Sequence, residues 1–218
     1  MSLSIREVWE FFDDTTVPVR EIRAFHYADK SKVQRRVFRP GAFDSIDDLK
    51  LAIEKYAMNL NSQGYNIYTT LNPIIPTFTG SSASDEDIAC RELLLIDIDR
   101  TGDTKSPATD AEVSAATSLA DTIETFLTEL GWPKPVRLMS GNGHHLYYPL
   151  ASLPNNAEST SLIRRVLNCL ADKFDRPEVA VDRVVYNASR ITKVPGTIMR
   201  KGEESGVRPY RRAVLYEN

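Results

Sequence analysis

The sequence predicts an α+β domain built on a mixed or antiparallel sheet rather than a doubly wound parallel one. Three observations carry this. Strand-like and helix-like segments alternate irregularly along the chain. Two strand-like runs, Pro135 to Ser140 and His144 to Leu150, flank Gly141-Asn142-Gly143, which is a hairpin signal. A chain of 218 residues with 42% hydrophobic side chains can also bury one sizeable core.

Taken in order, Val8, Trp9, Phe11 and Phe12 suit a short helix, and Val17 to Tyr27 reads as a strand. Val33 to Arg39 is extended, Pro40-Gly41 turns the chain, and Ser45 with Asp48 resembles a capping box. Ile46, Leu49, Ile53, Tyr56, Ala57 and Leu60 keep helical spacing, so they form a core face, and Gly64 ends that helix before a strand over Tyr65 to Leu71. Asn72 to Cys90 is a long Pro/Ser/Thr/Asp-rich connection, and flexibility is expected there. A second helix is marked by Val113, Ala116, Ala120, Ile123, Leu127 and Leu130 with Gly131 as its stop, and a third by Leu162, Val166, Leu170 and Phe174. Val179 to Val185 and Arg211 to Tyr216 read as closing strands.

No run approaches the roughly 18 consecutive apolar residues of a membrane span. The amino-terminal stretch MSLSIREVWEFF lacks a basic segment followed by an apolar one. A cytoplasmic protein with no membrane contact is therefore expected. Cys90 and Cys169 supply neither a disulfide framework nor zinc-ligand spacing. The formal charge of −3 conceals an asymmetry. From Arg183 to Arg212, eight basic residues face only Glu203 and Glu204, a balance of +6, and the remainder carries −9. Such a segment suits either a phosphate-facing region or a solvated basic tail.

The chemistry begins at Leu93-Leu94-Leu95-Ile96-Asp97-Ile98-Asp99. Side chains alternate along a strand at about 3.3 Å per residue, so Asp97 and Asp99 share a face roughly 6 to 7 Å apart. Two hard oxygen ligands so placed can hold Mg²⁺ or Mn²⁺ on a substrate phosphate, or can mark where a buried strand reaches solvent. Asp182, after Val179-Ala180-Val181, is a third carboxylate that would complete a two-ion site, which needs about three carboxylates. Ser140-Gly141-Asn142-Gly143-His144-His145 combines permissive glycines with a hydroxyl and an imidazole, so backbone N–H groups can approach an anion. His144 alternates to the opposite face and is the poorer candidate. In Asn187 to Thr197, Arg190 offers a bidentate fork and Lys193 a point charge, both suited to phosphate.

The order hhhDhD (Asp97, Asp99), SGxGxH (Ser140 to His145), hD (Asp182) and NxxRxxKxPGT (Asn187 to Thr197) resembles the archaeo-eukaryotic primase superfamily. Within it, the similarity is to primase-polymerase domains of phages, plasmids and CRISPR-linked bacterial elements. The resemblance extends to VREIRAF (Val19 to Phe25), Leu71-Asn72-Pro73, Gly131-Trp132-Pro133, Arg200-Lys201-Gly202 and Arg208-Pro209-Tyr210-Arg211, and so spans nearly the whole chain. It implies an RRM-like catalytic part over residues 91–218 joined to an N-terminal α/β unit over residues 1–90, together forming one catalytic domain. It also implies primer synthesis and strand extension on single-stranded DNA from nucleoside triphosphates.

The roles it implies are specific. Asp97, Asp99 and Asp182 would coordinate two divalent ions. Ser140, Gly141, Asn142, Gly143, His145, Asn187, Arg190 and Lys193 would hold the nucleotide, His145 acting in catalysis as well. Many relatives have proline where this chain has Arg100, and arginine where it has Lys193. Arg20, Arg23, Arg100, Arg200, Lys201, Arg208 and Arg211 are candidates for contacts to template and primer, as are Arg35, Arg36 and Arg39. The chain is expected to be the N-terminal module of a longer protein carrying a helicase or an accessory primase domain. Two other readings stay open: a non-catalytic single-strand or origin-binding module, and a metal-dependent nuclease.

Overall fold

A computed structural model describes residues 19–216. The helix expected over Val8 to Phe12 lies outside them. Two antiparallel sheets organise the described chain, and a polar cleft lies between them.

The first sheet holds β1 (Arg20–His26), β2 (Val33–Phe38), β3 (Tyr65–Thr70) and β8 (Ile191–Lys193) in the order β2-β1-β3-β8. Helix α1 (Ile46–Ser62) begins where the Ser45 hydroxyl accepts from the Asp48 N–H at 3.1 Å, and Gly64 (φ 93°) lets the chain turn into β3. Its apolar stripe of Leu49, Ile53 and Ala57 is buried in one core with Ile22, Ala24 and Ile67 of the sheet.

The second sheet holds β4 (Cys90–Arg100), β5 (Val136–Met139), β6 (His144–Pro154), β7 (Val179–Val181) and β11 (Val214–Tyr216) in the order β11-β5-β6-β4-β7. Helix α2 (Asp110–Glu129) joins β4 to β5, and helix α3 (Ala157–Phe174) joins β6 to β7. Each helix thus links two strands that have a third inserted between them, which is the split βαβ, RRM-like arrangement. Every neighbouring pair is antiparallel, as the hairpin at Gly141 to Gly143 led one to expect. Along β4, Leu94, Ile96 and Ile98 are almost fully buried and α2 packs on that strand, while Leu95, Asp97 and Asp99 of the other face line the cleft.

Short strands β9 (Ile198–Met199) and β10 (Arg211–Arg212) pair with each other. The single strand expected over Arg211 to Tyr216 is split because the Ala213 N–H donates to Thr197 O at 2.9 Å, while its carbonyl accepts from the Gly196 N–H at 2.8 Å. The strand expected from Val179 ends at Val181, since the Asp182 carboxylate then accepts from the Val184 N–H at 2.9 Å and turns the chain. Among the described residues, no helix is long and apolar enough to cross a membrane.

The Asn72 to Cys90 connection departs from the expected flexibility. Ile74 forms bridges to both Val19 and Ile88, and Phe78, Ala83 and Ile88 join them in a second apolar cluster. Glu21, fully buried on β1, accepts from the Ala83 N–H at 2.8 Å and from the Ser82 hydroxyl at 3.1 Å. Arg23 neutralises it through a bidentate pair at 2.8 and 2.9 Å. Removing the cation would leave a buried carboxylate uncompensated. Arg23→Ala is therefore expected to cost about 3 kcal/mol in urea unfolding and to open residues 79–84 to protease. A loss under about 1 kcal/mol, within the range of a surface pair, would mean that the pair does not hold the loop.

Candidate active site

The cleft has a volume of about 280 Å³. Asp97 and Asp99 enter from β4, Ser140 and Asn142 from the β5–β6 turn, His145 from β6, Arg190 and Lys193 from β8 and its approach, and Lys201 from beyond β9. The first sheet adds Tyr68. Four segments remote in sequence thus meet in one small polar space.

The two carboxylates have opposite electrostatic environments. Burial works to raise the Asp97 pKa, but His145, Arg190 and Lys201 outweigh it and hold that carboxyl below its usual range. Asp99 is pushed up to about 6, first by burial and then by the Asp97 charge. A pair whose second member resists ionisation is relieved by a cation, so hard oxygens at this spacing fit a divalent metal. Lys193 is the complementary case. It is 2% exposed, its Nζ has no hydrogen-bond partner among the described residues, and Tyr68 lies beneath it at 5.4 Å from Nζ to ring centroid. Burial, then the Arg200 charge, pushes its pKa down to about 7. A buried ammonium without a partner is costly, and an anion entering the cleft removes that cost.

His145 Nε2 lies 3.3 Å from Asp97 Oδ1, and its Nδ1 lies 2.9 Å from the Tyr147 hydroxyl, itself 2.6 Å from Thr192 Oγ1. A hydrogen-bonded line therefore runs from β8 through β6 to the carboxylate on β4. The turn before His145 is shaped by close approach. The Ser140 hydroxyl accepts from the Gly143 N–H at 3.2 Å, and Asn142 Oδ1 accepts from the Ala108 N–H at 2.8 Å. Gly141 has φ 107°, and a Cβ there would meet Met199 Cβ at 2.5 Å. At Gly143 a Cβ would stand 2.3 Å from Ile98 O and 2.5 Å from Asp99 Oδ1, so only glycine lets the turn lie against the carboxylate.

Other expected site residues fall elsewhere. The Asp182 N–H donates to Asp97 O at 2.8 Å, continuing the Ile98–Val181 register, so its Cα lies opposite Asp97. Its carboxylate is engaged by the Val184 N–H rather than lining the cleft. Among the described residues, no three His, Cys, Asp or Glu side chains form a metal-holding cluster. Asn187 bonds Asp85 and Ser189 outside the cleft. Arg20, 1% exposed, donates to Thr70 O and Leu71 O, and Arg100, 4% exposed, to Asp103 O and Ser106 O, so both guanidinium groups serve the interior. Arg23 is held by Glu21, Arg200 donates to Asn61 O, Arg208 pairs with Glu112 and Arg211 with Asp110. Of the ten cations expected at nucleic acid, Lys201 lines the cleft.

Tyr68, Tyr147 and Thr192 were not singled out from sequence. Tyr147 follows His145 by two positions on a strand, and that signal could have found it. Tyr68 has no such signal, because only the Tyr68–Lys193 register of β3 and β8 brings it to the cleft.

No family model matches the sequence, and no curated protein matches it. Solved structures do share its fold. The archaeo-eukaryotic primase (AEP) domain of the cyanophage S-2L primase-polymerase superposes with a TM-score of 0.55 at 15% identity, covering 98% of this chain and 88% of that one. Primase RepB′ superposes with a TM-score of 0.52 at 12% identity over 92% of this chain, which spans 51% of RepB′. The chain has the archaeo-eukaryotic primase fold, the one its motifs resemble.

Two outcomes follow from the cleft. Between about pH 7 and 10.5 the folded chain binds fewer protons at Lys193 than the unfolded chain does, so stability rises with pH across that window. Below about pH 7 the buried charge costs in full. Lys193→Met is thus expected to stabilise the free protein at pH 7 by on the order of 3 kcal/mol and to flatten this rise, checked by urea unfolding at pH 7 and 9. Equal slopes for variant and parent would mean a solvated ammonium. Gly143→Ala is expected to displace Asp99 and weaken Mn²⁺ binding, read by electron paramagnetic resonance, at least about tenfold. Unchanged binding would place the ion elsewhere.

Proposed function

We propose that this chain is a template-directed nucleotidyltransferase that makes and extends primers on single-stranded DNA. The observation that carries the reading is the buried Lys193 ammonium, with no hydrogen-bond partner among the described residues, in the same 280 Å³ cleft as Asp97 and Asp99. A cavity holding both a buried ammonium with no hydrogen-bond partner and a carboxyl, Asp99, that burial and Asp97 keep from ionising readily suits a metal-bound polyphosphate. The fold shared with the cyanophage primase-polymerase domain points the same way.

In this reading Asp97 and Asp99 would hold the divalent ions. Asp182 joins them if its carboxylate leaves the Val184 N–H, a rotation its backbone position opposite Asp97 permits. Bound Mg²⁺ or Mn²⁺ would lower the pKa of the attacking hydroxyl and neutralise charge developing on the phosphates. Lys193, Arg190 and Lys201 bind the triphosphate, and Ser140 and Asn142 border its place. His145, its ring fixed through Nδ1 by Tyr147, presents Nε2 to Asp97 and to the bound nucleotide. As the primer 3′ hydroxyl gives its proton to water, its oxygen forms a bond to the α-phosphorus, the bond to the bridging oxygen breaks, and pyrophosphate leaves.

A non-catalytic strand-binding module is the second reading, favoured by the engagement of the Asp182 carboxylate with Val184. Synthesis on single-stranded DNA, with and without an annealed primer and in Mg²⁺ or Mn²⁺, separates the two. Short products without a primer, lost by at least about a thousandfold in Asp97→Ala/Asp99→Ala, are the expected result. Extension from a primer alone would restrict the function to polymerisation, and strand binding without synthesis would establish the module.

A further inference from the structure

The cleft opens onto one face of the first sheet, and that face carries a cross-strand row with a defined chemistry. In register across four strands stand Arg35 on β2, Arg23 on β1, Tyr68 on β3 and Lys193 on β8. Directly opposed residues of antiparallel strands point to the same side, and neighbouring strands lie about 4.8 Å apart, so the row runs about 14 Å from the sheet edge to the buried ammonium. Beside it stands Phe25, half-buried, its ring 5.8 Å from that of Tyr68 in an edge-on contact. Helix α1 does not cover this side. It packs on the other one, where Ile22, Ala24 and Ile67 are buried.

Exposure along the row changes in one direction. Lys193 is 2% exposed, Arg23 is 18% exposed at its side chain and is committed to Glu21, and Arg35 is exposed. Among the described residues, Arg35 has no ion pair and stands on an edge strand whose outward side is unpaired. A free guanidinium at the rim, an aromatic face beside it and a cleft built for phosphate at the inner end form a graded path. Bases stack on aromatic rings whatever their sequence, and cations along a groove track the sugar-phosphate backbone.

We propose that this sheet face, through Arg35 and Phe25, binds single-stranded DNA and leads it to the cleft. The proposal rests on the nucleotidyl-transfer reading and deepens it by naming the surface that takes the strand. A single strand suits the face better than a duplex does, because Phe25 can stack only on an unpaired base. Continuity with the cleft makes the strand that crosses Phe25 the one presented for copying.

The test is fluorescence anisotropy of a labelled oligodeoxythymidine titrated with the chain at several salt concentrations, beside a separate titration with a nucleoside triphosphate and Mn²⁺. Arg35→Glu is expected to weaken strand binding about tenfold and to lower the salt slope by about one, with triphosphate affinity retained. Phe25→Leu, which keeps an apolar contact to Tyr68 and removes the stacking surface, is expected to weaken it about fivefold with the salt slope unchanged. Parent-like strand affinity and salt slope in both variants would overturn the proposal and leave the cleft reading standing. A parent chain that binds the triphosphate but no strand would also overturn it, and a parent that binds neither would overturn the underlying reading as well.

Discussion

The cleft depends on three residues, Ile191 to Lys193, that leave the second sheet's part of the chain to complete the first. As β8 they pair with Tyr68 to Thr70 of β3, and hydrogen bonds from Leu71 N–H to Arg190 O and from Val194 N–H to Ile67 O extend the ladder at both ends. Backbone hydrogen bonds are directional and must be satisfied when buried, so this short ladder fixes where Arg190 and Lys193 stand. The line through Thr192, Tyr147 and His145 then ties β8 to the strands that carry Asp97 and Asp99. A helix or a loop in place of β8 would supply the same charges without the same positions.

What the ladder holds is electrostatically unfavourable in the free protein. Burial and the Asp97 charge oppose ionisation of Asp99, and the buried Lys193 Nζ has no hydrogen-bond partner among the described residues. Neither could persist unless the surrounding packing over-determined it, and Leu94, Ile96 and Ile98, almost fully buried on the opposite face of β4, supply that packing behind the carboxylates. The cost is recovered only when a ligand brings both a cation for the carboxylates and an anion for the ammonium. Such pairing of opposite deficits distinguishes this cleft from an ordinary ion pair, in which the protein's own charges satisfy each other.

The basic segment shows the contrast. Of its eight cations, Arg183 pairs with Asp172 and Asp175, Arg208 with Glu112 and Arg211 with Asp110, while Arg200 and Arg212 donate to backbone carbonyls. Arg190, Lys193 and Lys201 reach the cleft. The +6 balance therefore marks a segment whose cations brace helices α2 and α3 and nearby carbonyls more than an open patch for nucleic acid. The long Asn72 to Cys90 connection is likewise structural, because a buried Glu21 supplies the acceptor its backbone needs.

Local physics determined much of this protein in advance. Apolar periodicity and caps placed α1, α2 and α3, the Asn-Gly turn placed the β5–β6 hairpin, and strand alternation put Asp97 and Asp99 on one face, because each depends on neighbours within a few residues. The order of the motifs pointed to Ser140, His145, Arg190 and Lys193, which the cleft brings together. Tertiary structure decided what depends on partners far along the chain. Tyr68 enters the cleft through its register with Lys193, and Arg20 turns inward to the carbonyls of Thr70 and Leu71. A charged side chain reads the same in sequence whether it faces a phosphate or a buried carbonyl, and only the packing around it tells the two apart.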